Sequence, residues 1–329
     1  MSFTLVVLED AFAASVAATL DMLRAARTLG ARSLRFQACS VNGGFVRLSS
    51  GVGVETSRLP ARSRADATTW VIPGLGMNDA AAVRERLARP DALTLSKLIA
   101  RHVSRGGRVA AACTSVFLLQ QAGVLPRRRV TTTWWLAGLL AEMETECVVD
   151  ANAMVCADGP ILTAGAAFAQ TDLMLHLLRE HCGARLVDML ARTLLLDGRQ
   201  AQARFIAPEL LANGDTLIAR ISAEVEAHFP NPPSVATLAS RLGMTERTLS
   251  RHVRRVTGQS PLALVHSLKS RRAQALLQAT HLSVDDVAAA VGYQDAGTLR
   301  RLLKKLGVAP PRALRSAASP PPPPGRKRA

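Results

Sequence analysis

The sequence predicts two folds in one chain: an α/β sandwich on a mostly parallel sheet, then an all-α domain of two helix-turn-helix units. Three observations carry this. Short apolar runs alternate with helical periodicity over the first two hundred residues. One sequence unit occurs twice between Ser234 and Pro310 at an offset of 49 residues. Charge is uneven: 18 Lys and Arg stand against 6 Asp and Glu from Thr216 onward, a net +12 of the chain's +16.

In order, Phe3 to Leu8 reads as a buried strand. Ser15 to Thr28 reads as a helix with Val16, Leu20, Leu23 and Ala26 on its apolar stripe. Leu34 to Val41 is the next strand. Phe45–Leu48 and Val52–Glu55 form a hairpin around Ser49-Ser-Gly51. Trp70-Val-Ile72 is a strand ending at Pro73-Gly-Leu-Gly76, and Asp79 to Gly106 is helical with an interruption near Pro90. Arg108 to Ala112 is a strand running into Cys113, and Ser115 to Ala122 a helix. Ligands of open α/β sheets bind at the carboxyl ends of strands, where Gly74 and Cys113 fall. Small residues flank Cys113, as a tight strand-to-helix turn requires, and a helix start beside a thiol favours the thiolate. His102 and His176 fall on helices as half-buried packing or surface groups. Two further helices, Asp172 to His181 and Ala184 to Leu196, cover the sheet or supply a dimer face.

The repeat begins with Ser234-Val-Ala-Thr-Leu-Ala-Ser-Arg-Leu-Gly-Met244, echoed by Ser283-Val-Asp-Asp-Val-Ala-Ala-Ala-Val-Gly-Tyr293. Each copy opens on a Ser able to cap a helix and stops at a Gly suited to a sharp turn. A second helix follows, Thr245 to Val256 or Asp295 to Leu306. In the first, Leu249, Val253 and Val256 face the core, and Arg247, Ser250, Arg251 and Arg254 face away. In the second, Leu299 and Leu303 face inward among Arg300, Arg301, Lys304 and Lys305. A helix with a basic, hydrogen-bonding outer face fits a major groove; the plainer reading is a helical bundle with solvated basic faces.

Charge and cysteine usage bound the rest. A basic third beside a nearly neutral remainder points to a polyanion partner. Basic residues on short capped helices oppose a membrane surface, and no apolar run reaches transmembrane length. The start lacks a secretory pattern, so a cytoplasmic location is expected. Five scattered cysteines form no Cys-x-x-Cys pair, and neither metal site nor cofactor is expected.

Leu238-Ala-Ser-Arg-Leu-Gly-Met-Thr-Glu-Arg-Thr-Leu-Ser-Arg251, Gly258-Gln-Ser-Pro261, Lys269-Ser-Arg-Arg-Ala273 on a linking helix from Leu262 to Leu277, Val287-Ala-Ala-Ala-Val-Gly-Tyr293 and Gly307-Val-Ala-Pro310 resemble the DNA-binding module of AraC-type regulators. Ala296 and Gly297 stand where that family carries base-reading side chains, which implies that the second copy holds DNA backbone more than it reads sequence. The stretch after Cys113, with Asp158-Gly-Pro-Ile-Leu-Thr-Ala-Gly165, Thr171-Asp-Leu-Met-Leu-His-Leu-Leu178 and Arg199-Gln-Ala-Gln202, resembles the DJ-1/PfpI-like domain, a relative of class I glutamine amidotransferases, fused to AraC-type modules in GlxA-like regulators. In that resemblance a His follows the thiol in a Thr-Thr-His-Trp-like stretch, and an acidic residue lies on the first helix. Here those positions are Thr133 and Ser15. A thiol without its base is a poor nucleophile, so no enzyme is expected. The alternative is a cysteine-dependent amidohydrolase carrying a DNA-binding domain.

Non-catalytic readings of Cys113 are a ligand pocket, a packed relic and a redox sensor. In the first, backbone N–H groups of the elbow and near Gly74 and Leu75 form a nest, lined by Cys113, Thr114, Thr133 and Trp134. The expected organisation is a DJ-1/PfpI-like sensing domain over 1–205, a linker over 206–214, a double helix-turn-helix domain over 215–316, and an extended Pro-rich basic tail over 317–329. The expected partners are double-stranded DNA, a small-molecule effector and a second copy of the chain.

Overall fold

The computed structural model describes residues 2–60, 68–197, 199, 202, 216–257, 259–306, 308 and 310–316. The expected linker at 206–214 and the tail at 317–329 lie outside the described residues. The chain divides into two compact units: one spans Met1–Gln202 with His252–Gln259, the other Ala203–Arg251 with Ser260–Ala329.

The first unit is built on a mixed, mostly parallel sheet. Its strands are β1 (Ser2–Val6), β2 (Arg35–Ser40), β3 (Gly44–Arg47), β4 (Gly53–Arg58), β5 (Thr69–Ile72), β6 (Arg108–Ala112), β9 (Val155–Asp158) and β10 (Ile161–Ala164), in the spatial order β3-β4-β2-β1-β5-β6-β10-β9. Only the two outer pairs, β3 with β4 and β9 with β10, run antiparallel. The sequence signals β3–β4 through its Gly turn, and the pairing sets Val46 opposite Val54. A short parallel pair, β7 (Arg129–Val130) with β8 (Val148–Val149), stands apart.

Side-chain alternation distributes the strands between two cores. Phe3, Leu5, Ala110 and Ala112 face α1 (Ala13–Thr28), α6 (Ala169–Cys182) and α7 (Ala184–Thr193), meeting Met22, Leu23, Leu173, Leu177 and Val187. Val6, Ile72, Val109 and Ala111 face the opposite layer of α2 (Ala80–Leu87), α3 (Pro90–Ser104), α4 (Val116–Gln121) and α5 (Ala137–Met143), meeting Val83, Leu95, Ile99, Phe117 and Leu140. Strands buried on both faces read as continuous apolar runs, which is why β1, β5 and β6 are visible in the sequence. The break before Pro90 is real, because Pro90 begins α3 at a position that needs no N–H. His102 differs from expectation. It is fully buried and stacks on Trp70, ring centroids 4.2 Å apart, because Gly107 leaves room beside its ring. His176 lies on α6 with Nε2 3.3 Å from Glu180.

After β1 the chain moves to one side of it for β2 and later returns to the other side for β5. The order therefore reverses at β1, and the carboxyl ends of β1, β5 and β6 border the crevice that such a reversal opens. No helix among the described residues is long and apolar enough to cross a membrane.

The described chain from Thr216 onward is helical: α8 (Thr216–Ala227), α9 (Val235–Arg241), α10 (Glu246–Thr257, whose residues from His252 fall in the first unit), α11 (Pro261–Ala279), α12 (Val284–Ala290), α13 (Ala296–Lys305) and α14 (Pro311–Ser316). The repeat is reproduced in the backbone hydrogen bonds at the helix ends. Ser234 caps α9 by accepting from the Thr237 amide, and Ser283 caps α12 by accepting from the Asp286 amide. At the other end, the Met244 amide donates to Ala239 and the Gly243 amide to Ser240. Tyr293 and Gly292 donate likewise to Ala288 and Ala289. This paired bonding is the Schellman closure, and it requires a left-handed residue. Gly243 supplies it with φ +70° and Gly292 with φ +78°. Leu277, Val287, Val291, Leu299 and Leu303 form one core around the second copy.

Candidate functional site

In the first unit the site grows from β6. Its Val-Ala-Ala-Ala run leaves little side-chain bulk, and the strand turns abruptly at Cys113, whose φ is +56°. A non-glycine residue there is strained and must be held by its surroundings. The Cys113 amide donates to the Gly165 carbonyl at 2.7 Å, and its carbonyl accepts from the Thr132 hydroxyl at 2.7 Å. Gly74 lies beneath it: a Cβ there would stand 2.8 Å from the Cys113 Cβ. The hydroxyl of Thr114 donates to the Leu75 carbonyl, and that of Ser115 donates to Ile72 and Ala112.

The thiol is buried. The expectation that a helix start would favour its thiolate is overturned. Burial pushes its pKa up to about 11, outweighing the lowering by hydrogen bonds from Thr114 and from the Ala167 backbone. A charge in an apolar setting costs more than a few amide dipoles return. The helix after the turn, α4, is also only six residues long and begins after a 3-10 turn over Cys113–Ser115.

The two positions that the resemblance pairs with the thiol, Thr133 and Ser15, carry hydroxyls. Thr133 is completely buried, and its Oγ1 has no hydrogen-bond partner. Ser15 on α1 donates to the Ala167 carbonyl at 2.8 Å, one peptide from the amide that faces the sulfur. Trp134 follows Thr133, also buried, edge-on to Trp135 with centroids 5.0 Å apart. Gly74 thus packs against Cys113 and Thr114 bonds Leu75, whereas Thr133 and Trp134 are tied to this group only as the residues that follow Thr132 in the chain. Of the expected nest, the Cys113 amide is already engaged by Gly165, and the Thr114 amide faces the sulfur. No trio of His, Cys, Asp or Glu among the described residues could hold a metal ion.

Sequence reasoning missed three polar residues that shape this site. Gln202 threads a buried carboxamide between the loops after β7 and β10. Gln170 donates to the Thr19 hydroxyl at 2.9 Å and keeps its own carbonyl oxygen unpartnered. Asp172 pairs with Arg199 at 2.6 Å. The only signal for Gln202 and Arg199 was the polar string Arg199-Gln-Ala-Gln202 itself.

In the helical region after Thr216, α10 spaces Arg247, Arg251 and Arg254 on one face, all exposed, with Ser250 half-buried between them. Leu249 and Val253 on the opposite face are buried. On α13, Arg300, Arg301 and Lys304 are exposed, and Arg301 donates to the Thr298 hydroxyl at 2.8 Å. The side chain of Lys305 lies outside the described residues. Ala296 is buried, and Asp295 caps the helix through Thr298. The amino-terminal end of α13 is therefore acidic and small, and its cations sit further along.

Residues 6–180 match the DJ-1/PfpI family, and residues 238–317 match a helix-turn-helix domain. The HTH-type transcriptional regulator GlxA of Rhizobium meliloti (strain 1021) is 27% identical, over 92% of this chain and 91% of its own. The HTH-type transcriptional regulator CdhR of Pseudomonas aeruginosa is 26% identical, over 89% and 84%. In a crystal structure of an AraC family transcriptional regulator from Pseudomonas putida, 98% of that chain aligns with 59% of this one at a TM-score of 0.51 and 21% identity, a likeness of fold. With more than half of its length matched, the chain belongs to the DJ-1/PfpI family, in the form joined to the helix-turn-helix domain of AraC-family transcriptional regulators.

Proposed function

We propose that the chain is a sequence-specific, DNA-binding transcription regulator whose first domain senses a small molecule and performs no catalysis. The observation that carries the DNA-binding part is the exposed stripe of Arg247, Arg251 and Arg254 on the second helix of a capped helix-turn-helix unit that is then repeated. Arg247, Ser250 and Arg251 contact base edges, where Arg bonds bidentately to guanine. Arg254, Lys304 and Lys305 hold phosphates, and Arg300 and Arg301 do either. The two units grip successive major-groove faces of one duplex. The acidic, small start of α13 supports a second unit that holds backbone more than it reads bases.

The non-catalytic part is supported by the hydroxyls at Thr133 and Ser15 and by a thiol held protonated at neutral pH. Gly74, Leu75, Cys113, Thr114, Thr133 and Trp134 line the effector site. The sensor extends to about residue 205, the linker covers 206–214, and the DNA-binding domain covers 215–316. The basic tail at 317–329 adds weak electrostatic attraction, and the first domain dimerises. A cysteine-dependent amidohydrolase is disfavoured by the same buried, base-free thiol.

The test is genome-wide footprinting of the full chain on fragmented host DNA at several salt concentrations. A small set of sites sharing a motif over about two helical turns is expected. Uniform, steeply salt-sensitive coverage without a motif would reduce the basic domain to a backbone binder.

A further inference from the structure

We propose that the apolar groove formed by α12, α13 and α14 is a second ligand site, which takes a small amphipathic anion and thereby competes with DNA. The competition rests on the phosphate-holding role given to Lys304 above; the binding does not.

The groove has a volume of about 680 Å³, within the range of about 300–1,000 Å³ usual for small-molecule sites. Its floor is Leu303 and Val308, 1% and 7% exposed. The Val308 amide already donates to the Leu303 carbonyl at 2.8 Å. Val284, at the start of α12, forms one wall. Pro310 and Pro311 form the other, and proline brings no N–H. The Pro310 carbonyl is engaged by the Leu314 amide at 3.2 Å. The groove is therefore faced mainly with hydrocarbon, which suits an aliphatic or aromatic body.

Three cations stand on its rim: Arg300 and Lys304, one turn apart on α13, and Arg312 on α14, all exposed. Among the described residues none of the three is in an ion pair. The carboxylates that follow Val284 are turned to other partners. Asp285 accepts from the Ala296 amide at 3.3 Å, and Asp286 accepts from the amide and hydroxyl of Ser283. A hydrocarbon groove under unpaired positive charge is complementary to a molecule with an apolar body and a carboxylate, sulfate or sulfonate head. Arg300 and Arg312 supply the forked donors that such oxyanions bond best. The chain's own end is a poorer occupant, because Arg326-Lys-Arg328 repeats the charge of the rim. A head group held by Arg300 and Lys304 neutralises the cations offered to phosphate. Anion and duplex thus oppose each other, and each lowers the other's affinity by the same factor.

The test is a titration of the full chain with anilinonaphthalene sulfonate, whose fluorescence rises in an apolar site. Saturable binding is expected. It should weaken at least about tenfold in Arg312→Glu and change little in Arg312→Lys, since a hydrogen bond to a charged group is worth about that factor. Arg312 is exposed and lies outside the residues assigned to DNA, so the pair of variants reads charge alone. Val284→Phe, which fills the groove without altering charge, should also weaken binding. A short random-sequence duplex at low salt should displace the probe. Failure to saturate, or equal affinity in wild type and Arg312→Glu, would overturn the site. So would markedly tighter binding by a chain lacking residues 317–329, which would make the tail the occupant. Probe that stays bound under saturating duplex would overturn the competition. A wild-type chain without specific footprints would instead defeat the regulator reading, and the comparison with Arg312→Glu would still decide the site.

Discussion

The carbonyl oxygen of Pro230 occupies the space that a side chain on Gly292 would need: a Cβ there would stand 1.9 Å from it. Gly243, the equivalent residue of the first copy, has nothing within 4 Å of that position. Both residues have positive φ. Gly243→Ala should therefore cost about 1 kcal/mol, the strain of a left-handed alanine. Gly292→Ala should cost more, about 2–4 kcal/mol, because backbone must also move. Urea unfolding of the two variants checks the ranking, and equal losses would contradict it.

Cys113 should make the protein alkali-sensitive. Its ordinary pKa of 9.0 is raised to about 11 by burial. The folded state thus keeps a proton that the unfolded state releases above pH 9. The associated stability is complete below pH 9 and is lost as pH rises through 11. The difference in unfolding free energy between wild type and Cys113→Ala should shrink by about 2–3 kcal/mol over that interval. Cys147 and Cys156 are pushed up similarly, but both remain in the variant and cancel in the comparison.

Adjacent threonines should respond in opposite ways. Thr132 donates to the Cys113 carbonyl, whereas the buried Thr133 hydroxyl bonds to nothing. Thr132→Val should destabilise by about 1–2 kcal/mol. Thr133→Val should be neutral or stabilising by up to about 1 kcal/mol, since it removes an unsatisfied polar group. Thermal melts of both variants measure this. A marked loss from Thr133→Val would reveal a bond that the hydroxyl makes in solution.

On DNA, Arg251→Ala should cost about 1–3 kcal/mol on the preferred site and relax choice at one base pair. Lys304→Ala should weaken all sequences alike and lower the salt slope by about one. Binding to a randomised pool at two salt concentrations separates them. Equal loss on every sequence for Arg251→Ala would reassign it to phosphate.

The elements that the sequence revealed are those whose cause is local. Ser caps, apolar spacing and Gly stops lie within a dozen residues of one another, so both helix-turn-helix units could be read directly. Strands β1, β5 and β6 are buried on both faces and stand out as apolar runs. The β9–β10 hairpin escaped because its strands are four residues each and the signal is confined to Asp158-Gly-Pro. The thiol's protonation escaped for another reason: its helix start is local, but the burial that outweighs it comes from the whole fold. Gln202 was invisible in its role because its partners lie 36 to 71 residues away in the chain.

The two repeated units begin their helices with different chemistry. In the first, Ser234 and Thr245 cap with neutral hydroxyls. In the second, Asp286 completes the cap at Ser283 and Asp295 caps α13, and the hydrogen bonds each accepts, from Ser283 and Thr298, hold both carboxyls below their usual range. Support from such carboxylates is present above the ordinary aspartate pKa and disappears as pH falls through the lowered one. The second copy thus leans on two carboxylates that the first copy does without, so strong acid, below the ordinary aspartate range, reaches the helix starts of the second copy and leaves the hydroxyl caps of the first untouched.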